Sequence, residues 1–166
     1  MSEKEIPKIL NLEKEIKKSR SYMTRYLSAD YKYSHTGSNQ YLQEPVKLDN
    51  VIDNGNGYLE SESDYSIQIG AGVHHVNVKG SIRLSHEEIN HASLHAYIRK
   101  NNITVSNLYE DADYLNTYNA ITIFRDCLDV EEGDKIQLYF ACDNETGTIT
   151  GKNDYPITQL SVQVID

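Results

Sequence analysis

The chain has 166 residues, 39% of them hydrophobic, which is enough to bury the core of one globular domain. Its formal net charge is −9, and residues 30–166 alone carry a net charge of −12. An acidic body repels phosphate backbones, and no apolar run approaches the roughly 18 residues of a membrane span, so we expect neither nucleic-acid binding nor membrane insertion. The first ten residues contain no apolar stretch typical of a signal peptide, so we expect synthesis in the bacterial cytoplasm without export by that route.

Residues 1–29 predict a helix that runs from about Pro7 to Ser28. Five apolar side chains and Ser19 are spaced alternately three and four residues apart, as in a heptad repeat. The side chains of this seam are Ile9, Leu12, Ile16, Met23 and Tyr26. The spacing favours a coiled-coil stalk, and a single amphipathic helix packed on its own domain is the alternative.

Residues 30–45 are polar and rich in tyrosine, and they predict a linker or an extended arm that ends at Pro45. From Val46 onward the pattern changes to the period of two that is typical of strands. The strand segments are 46–52, 65–72, 74–85, 93–102, 118–130, 134–143 and 158–166. Segment 118–130 is apolar on both faces and predicts a strand buried on both sides. The sequence therefore predicts a mainly β protein, with an antiparallel sandwich over residues 46–166.

Three segments in the order found here resemble the jelly roll of tumour necrosis factor and of the complement globular heads. The first is "IGAGVHHVNVKGSIRL", a strand after a glycine step, and the second is "LHAYIRKNN", a strand that ends in a hairpin turn. The third is the hairpin "CLDVEEGDKIQLYF", in which Gly133 permits positive φ and Asp134 can accept a bond from a neighbouring amide. The aromatic residue usual after the glycine step is replaced by His74 or His75.

This resemblance implies a homotrimer in which flat sheet faces pack around a threefold axis. A short helix before such a head is similar to the distal pieces of phage tail fibres and baseplates. We therefore expect a trimeric, non-enzymatic receptor-binding protein of a phage or prophage particle, located in the virion beside other tail or baseplate proteins. A structural or adhesive cap on a bacterial or spore surface is the alternative, and an enzyme dependent on a metal or on carboxylates is a third.

The segment "SHEEINHASLH", residues 85–95, resembles the HExxH motif of zinc proteases but fails its spacing. His86 and His91 are five residues apart, which places them about 140° apart on a helix. His91 and His95 are four apart, yet His95 belongs to an alternating strand. Solvated histidines are the simpler interpretation, and a metal held by His91 and His95 near a threefold axis is the remaining alternative.

No other motif predicts catalysis or a cofactor. The sequence contains no nucleophile elbow and no glycine-rich phosphate loop. Cys127 and Cys142 are too widely spaced for a CxxC metal site, so we interpret them as structural thiols, with a bridge between them as the alternative.

The segment "NLYEDADYLNTYN", residues 107–119, is the loop most suited to recognition. Tyrosine rings can stack on sugars, and carboxylates can accept bonds from hydroxyl groups. The proposed ligand residues are Tyr109, Asp111, Asp113, Tyr114 and Tyr118. The sequence thus indicates a site for a host cell-surface glycan, and an acidic loop with locally packed tyrosines is the alternative.

Overall fold

In the computed structural model, the described residues are 5–34, 43–85, 92–112, 118–142, 146–152 and 157–166. Within them the chain forms one helix, α1 (Glu5–Ser19), followed by thirteen strands. The strands are β1 (Tyr22–Tyr26), β2 (Tyr31–Ser34), β3 (Glu44–Pro45), β4 (Asn50–Asn54), β5 (Leu59–Ser61), β6 (Ile67–Ile69), β7 (His75–Ser85), β8 (Ala92–Lys100), β9 (Ile103–Ala112), β10 (Tyr118–Asp129), β11 (Lys135–Cys142), β12 (Thr146–Ile149) and β13 (Gln159–Val164).

The strands form two antiparallel sheets that face each other. The first sheet has the order β2-β12-β7-β13-β1-β4, and β10 pairs with the other side of β7. The second has the order β5-β6-β11-β8-β9, and β3 pairs with β11. The chain crosses between the sheets after β2, β3, β4, β6, β7, β9, β10 and β11, so most strands that follow each other in the sequence lie in different layers. This confirms the predicted fold class, a mainly β jelly-roll sandwich with a short N-terminal helix.

The core lies between the sheets and is built by the inward residues of the alternating strands. Val76, Val78, Ile82 and Leu84 of β7 are all buried. Facing them, the second sheet contributes Ile98 of β8 and Leu138 and Phe140 of β11, among others. Because each inward side chain removes apolar surface from water, the period of two seen in the sequence fixes which face of each strand is buried.

The predicted helix to Ser28 is wrong beyond Ser19. The Ser21 side chain donates to Lys17 O at 2.9 Å and its amide donates to Lys18 O at 2.9 Å, which ends the helix. Met23 and Tyr26 therefore lie in β1, and Met23 is buried in the sandwich core instead of a coiled-coil seam. Strand pairing of β1 with both β4 and β13 outweighs the helical spacing of these two residues.

The predicted boundary at residue 46 also needs correction. Residues 31–34 of the expected linker form β2, which pairs with β12, and residues 44–45 form β3. Residues 35–42 lie outside the described residues. The sandwich thus includes strands from Tyr22 onward, and the sequence missed them because they are short and their tyrosines are polar at one end.

The prediction that β10 is buried on both faces is wrong. Ile121 and Ile123 are buried, whereas Thr122, Phe124 and Arg125 are exposed. β10 belongs to a sheet that packs on one face only, so its inward side chains meet the second sheet and its outward side chains face solvent. A bulge between Arg125 and Leu128 holds Cys127, which is exposed with φ of 47°.

The glycine turn before β11 agrees with the sequence prediction. Gly133 has φ of 88°, and the Glu131 amide donates to the Asp134 carboxylate at 2.9 Å. The adjoining turn between β8 and β9 has positive φ at both Asn101 and Asn102, as a two-residue hairpin turn requires. In the described part of the chain, no helix has the length and apolar character needed to cross a membrane.

Candidate functional site

The first sheet presents an outward face that carries no carboxylate over its three central rows. Residues that lie directly opposite each other on neighbouring strands form rows across the sheet, and every second row faces away from the second sheet. The rows are Asn54-Tyr22-Gln163-Asn77, Ile52-Thr24-Ser161-Lys79-Phe124 and Asn50-Tyr26-Gln159-Ser81-Thr122. We call these residues, apart from Phe124 at the end of the second row, the carboxylate-free face. Lys79 is its one charged member, in a chain with 25 acidic residues.

Small polar side chains occupy the middle of this face. The hydroxyl oxygens of Thr24 and Ser161 lie 2.8 Å apart and satisfy each other across β1 and β13. Tyr22 is exposed and Tyr26 half-buried, so each presents part of its ring to solvent. His75 and Asp129, whose side chains are 3.3 Å apart, close the face at one end. Such a surface costs less to desolvate than a charged one, because Lys79 is its one charged member.

Beside this face lies an apolar edge, which we define as Ile103, Leu108 and Phe124. Their side chains are 70%, 46% and 57% exposed, respectively. They come from β9 and β10, which end the two sheets on the same side of the sandwich. Ser106 Oγ donates to Phe124 O at 2.9 Å and joins the two strands. Lys79 Nζ lies 5.7 Å from the centre of the Phe124 ring, so the edge continues into the carboxylate-free face.

The sequence reasoning missed this edge. A sign of it is present in segment 118–130, where Thr122 and Phe124 alternate with Ile121 and Ile123 and must therefore lie on the opposite face of the strand. The continuous apolar run concealed that alternation. Which of the two parities faces solvent depends on which face of the first sheet packs against the second sheet, and this is a property of the tertiary structure.

The helix carries a second exposed apolar set. Ile9, Leu12 and Ile16 are 44%, 63% and 44% exposed, and all three belong to the predicted seam. They lie three and four residues apart within α1, so they share one side of the helix. Met23 and Tyr26 do not extend this stripe. The predicted stalk is thereby reduced to the length of α1, and its assembly stays a prediction.

The predicted glycan loop is in part strand. Tyr109 and Asp111 belong to β9 and Tyr118 to β10, so the loop prediction is wrong over these positions. Asp113 and Tyr114 lie outside the described residues, as do the side chains of the other three. The glycan site at these residues stays a prediction.

The histidine site is also untested. His91 lies outside the described residues, and His95 lies in β8 with its ring 6.3 Å from that of Tyr97 and nearly parallel to it. Among the described residues, no cluster of three or more His, Cys, Asp or Glu could hold a metal ion. Neither Cys127 nor Cys142 forms a disulfide, and the first is exposed whereas the second is buried.

No protein-family model and no curated protein sequence matches this chain. Among solved structures, the chain is similar to Eiger TNF from S. frugiperda, with a TM-score of 0.56 and 8% sequence identity. The match covers 89% of this chain and 94% of that one. The likeness shows the fold, a TNF-like jelly roll.

Proposed function

We propose that this chain is a non-enzymatic head that assembles as a homotrimer and serves as a receptor-binding or structural piece of a phage or prophage particle. The observation that carries the proposal is the carboxylate-free face with its adjoining apolar edge. In a chain of net charge −9, a sheet face without acidic residues is the surface that copies can approach with least repulsion.

The edge and the face are different surfaces of one molecule, so contact between them is heterologous. Heterologous contacts close into rings when the rotation between neighbours permits it. The apolar edge of one subunit would thus cover the carboxylate-free face of the next, around a threefold axis. The TNF-like fold supports this arrangement through the trimers that the family resemblance implies.

The helix supports the placement in a particle. Its exposed stripe of Ile9, Leu12 and Ile16 would meet the same stripe of two other copies on the threefold axis and form a short stalk. Since α1 is too short to form an independent coiled coil, the heads would supply most of the association energy. Three identical heads on one axis gain avidity for a host surface even where each binds weakly.

Phe124→Glu tests the assembly. Phe124 is largely exposed in the single chain, so the substitution leaves the fold intact, but it would place a charge in the subunit interface. We expect light scattering to give three times the chain mass for the wild type and one chain mass for the variant. The expected loss is about 2–4 kcal/mol per contact.

Leu10→Glu is the matched control, because Leu10 is equally exposed at 54% but lies on neither the edge nor the seam. It should remain trimeric. A wild type that is monomeric at micromolar concentration contradicts the assembly proposal. The particle assignment is tested separately by mass spectrometry of particles induced from the source strain, and recovery in the cell-surface fraction instead would contradict it.

A further inference from the structure

The second sheet carries a cleft on its outward side, on the opposite layer of the sandwich from the carboxylate-free face. Its volume is about 560 Å³, within the roughly 300–1,000 Å³ of small-ligand sites. The residues that matter to its chemistry are Asp64, Tyr65, Asn102, Lys135, Gln137 and Tyr139. They come from the loop after β5, from the turn between β8 and β9, and from β11.

Two tyrosine rings line this cleft, and each is held by an arginine that does not line it. The Arg99 guanidinium lies 4.2 Å from the centre of the Tyr139 ring, and that of Arg25 lies 5.8 Å from the Tyr65 ring. Arg25 is only 6% exposed, so it supports Tyr65 from the interior. Fixed aromatic rings can stack on a ligand without first losing rotamer freedom.

Tyr65 adopts a backbone conformation that a bulky side chain rarely takes. Its φ is 66°, in a turn where its amide donates to Glu62 O at 3.2 Å. Glycine or asparagine would occupy this position with less strain. A tyrosine here therefore costs stability, and its ring in the cleft offers a functional reason for that cost.

The charged groups at the cleft are paired with each other. Lys135 Nζ lies 3.1 Å from the Asp64 carboxylate and 3.6 Å from that of Glu62. The hydrogen bond with Asp64 raises the pKa of Lys135, and the pairing keeps both groups charged. A charged ligand would have to compete with this pair, so the cleft favours a neutral ligand.

The polar groups left in the cleft can both donate and accept. The Gln137 side chain donates its amide N–H to Asp64 O at 3.0 Å, and among the described residues its amide oxygen has no partner. Asn102 Oδ1 lies 3.5 Å from the Tyr139 hydroxyl, which leaves the Asn102 amide nitrogen available as a donor. Neutral donors and acceptors beside aromatic rings match the hydroxyls and apolar ring faces of a sugar.

From this arrangement we propose that the cleft binds a neutral pyranose unit of a cell-surface glycan. Tyr65 and Tyr139 stack on the sugar ring, and Asn102 and Gln137 bond to its hydroxyl groups. The site deepens the proposed function, since it would give the head its receptor class. Because it lies on the sheet opposite the carboxylate-free face, it is complete within one chain and rests on the trimer only for avidity.

The test uses isotope-labelled Phe124→Glu protein and NMR titration with the methyl glycosides of glucose, galactose, N-acetylglucosamine and rhamnose. Methyl glucuronide is the anionic comparison. We expect amide shifts at Asn101, Asn102 and Gln137 with at least one neutral glycoside, at millimolar concentration, and smaller shifts with glucuronide. No shift with any neutral glycoside at 50 mM, or stronger binding of glucuronide, overturns the proposal.

The variant Tyr65→Asn distinguishes a loss of ligand affinity from a loss of folding stability. The variant relieves the strained φ, so its urea midpoint should stay equal or rise, while its affinity for the bound glycoside falls about tenfold. Tyr65→Phe keeps the ring and should retain most of the affinity. Unchanged affinity in Tyr65→Asn would remove the cleft from consideration. Because these titrations use the monomeric variant, failure of the trimer would not affect them.

Discussion

Arg25 is a buried charge that organises several loops of the sandwich. Its guanidinium donates to Leu48 O at 2.9 and 3.2 Å, to Ser66 O at 3.0 Å and to Glu62 O. Burial lowers the pKa of Arg25, while the charges of Asp64, Tyr65 and Glu62 oppose this change. Because an arginine stays protonated at neutral pH, its guanidinium can donate hydrogen bonds to buried carbonyl oxygens that have no partner in the strand pairing. This one side chain thus fixes the loop that presents Tyr65 to the cleft.

Gly133 allows a clean measurement of backbone strain. Its φ is 88°, and a Cβ added there would meet no atom within 4 Å. Gly133→Ala should therefore lower the free energy of unfolding by about 1–2 kcal/mol through the backbone alone. Urea unfolding measures this change. Gly133→Asn should cost less because asparagine tolerates positive φ, and an alanine variant as stable as the wild type would contradict the reasoning.

At the scale of elements, Asp166 fastens the end of α1 to the sandwich. Its carboxylate lies 3.0 Å from Lys18 Nζ and accepts bonds from the amides of His74 and His75 at 3.1 and 3.0 Å. Burial alone would raise the pKa of Asp166, but the amide of His75, the Lys18 ammonium and the amide of His74 together lower it below 3.8. The helix is therefore held at its C-terminal end, with its apolar stripe free.

The lowered pKa sets the sign of a pH effect. A carboxyl with a depressed pKa in the folded state contributes stability above its ordinary pKa of 3.8, and that contribution is lost as the pH falls through the folded value. Asp166→Asn should thus lose about 1–2 kcal/mol at pH 6 and show a weaker loss of stability below pH 4 than the wild type. Urea midpoints at the two pH values measure both.

Limited trypsin digestion gives an independent readout of the same contact. Without the Asp166 carboxylate, the end of α1 should open more often, and cleavage near Lys17, Lys18 and Arg20 should become faster at pH 7. Asp126→Asn is the matched control, since Asp126 is an exposed carboxylate on β10. Equal cleavage rates in Asp166→Asn and the wild type would contradict the role of this contact.

The whole molecule carries its charge unevenly between surfaces. Three chains of net charge −9 repel one another over long distances, although the surfaces proposed to meet are nearly uncharged. At 0.1 M salt such repulsion is screened beyond about 10 Å. Trimer assembly should therefore strengthen with added salt, which is opposite to the behaviour of a nucleic-acid complex.

Sedimentation in 20 and 300 mM NaCl measures this salt dependence. We expect the trimer to dissociate at a concentration several-fold higher in the low-salt buffer, with Leu10→Glu showing a somewhat larger effect because it adds one charge per chain. A trimer that weakens as salt is added would indicate that attractive ion pairs hold the subunits together. That result would contradict an interface built from the carboxylate-free face.

The amino-acid sequence determined the features that depend on neighbours in the chain. The period of two in segments such as 74–85 and 134–143 follows from one buried face per strand, so it predicted the sandwich and most of its strands. The turn at Gly133 and Asp134 and the start of the N-terminal helix are equally local. The failure of the HExxH spacing at His86 and His91 is also visible in the sequence alone.

Tertiary structure decided what depends on partners distant in the chain. The segment from Tyr22 to Tyr26 fits a heptad and a strand equally well, and pairing with β4 and β13 selected the strand. Phe124 is exposed because it lies on the face of its sheet that no other layer covers, which no local pattern reveals. Tyr65, Asn102 and Tyr139 meet in one cleft only after folding. Local periodicity fixes which face of a strand is buried, but only non-local pairing decides which strands lie at an edge and which loops meet.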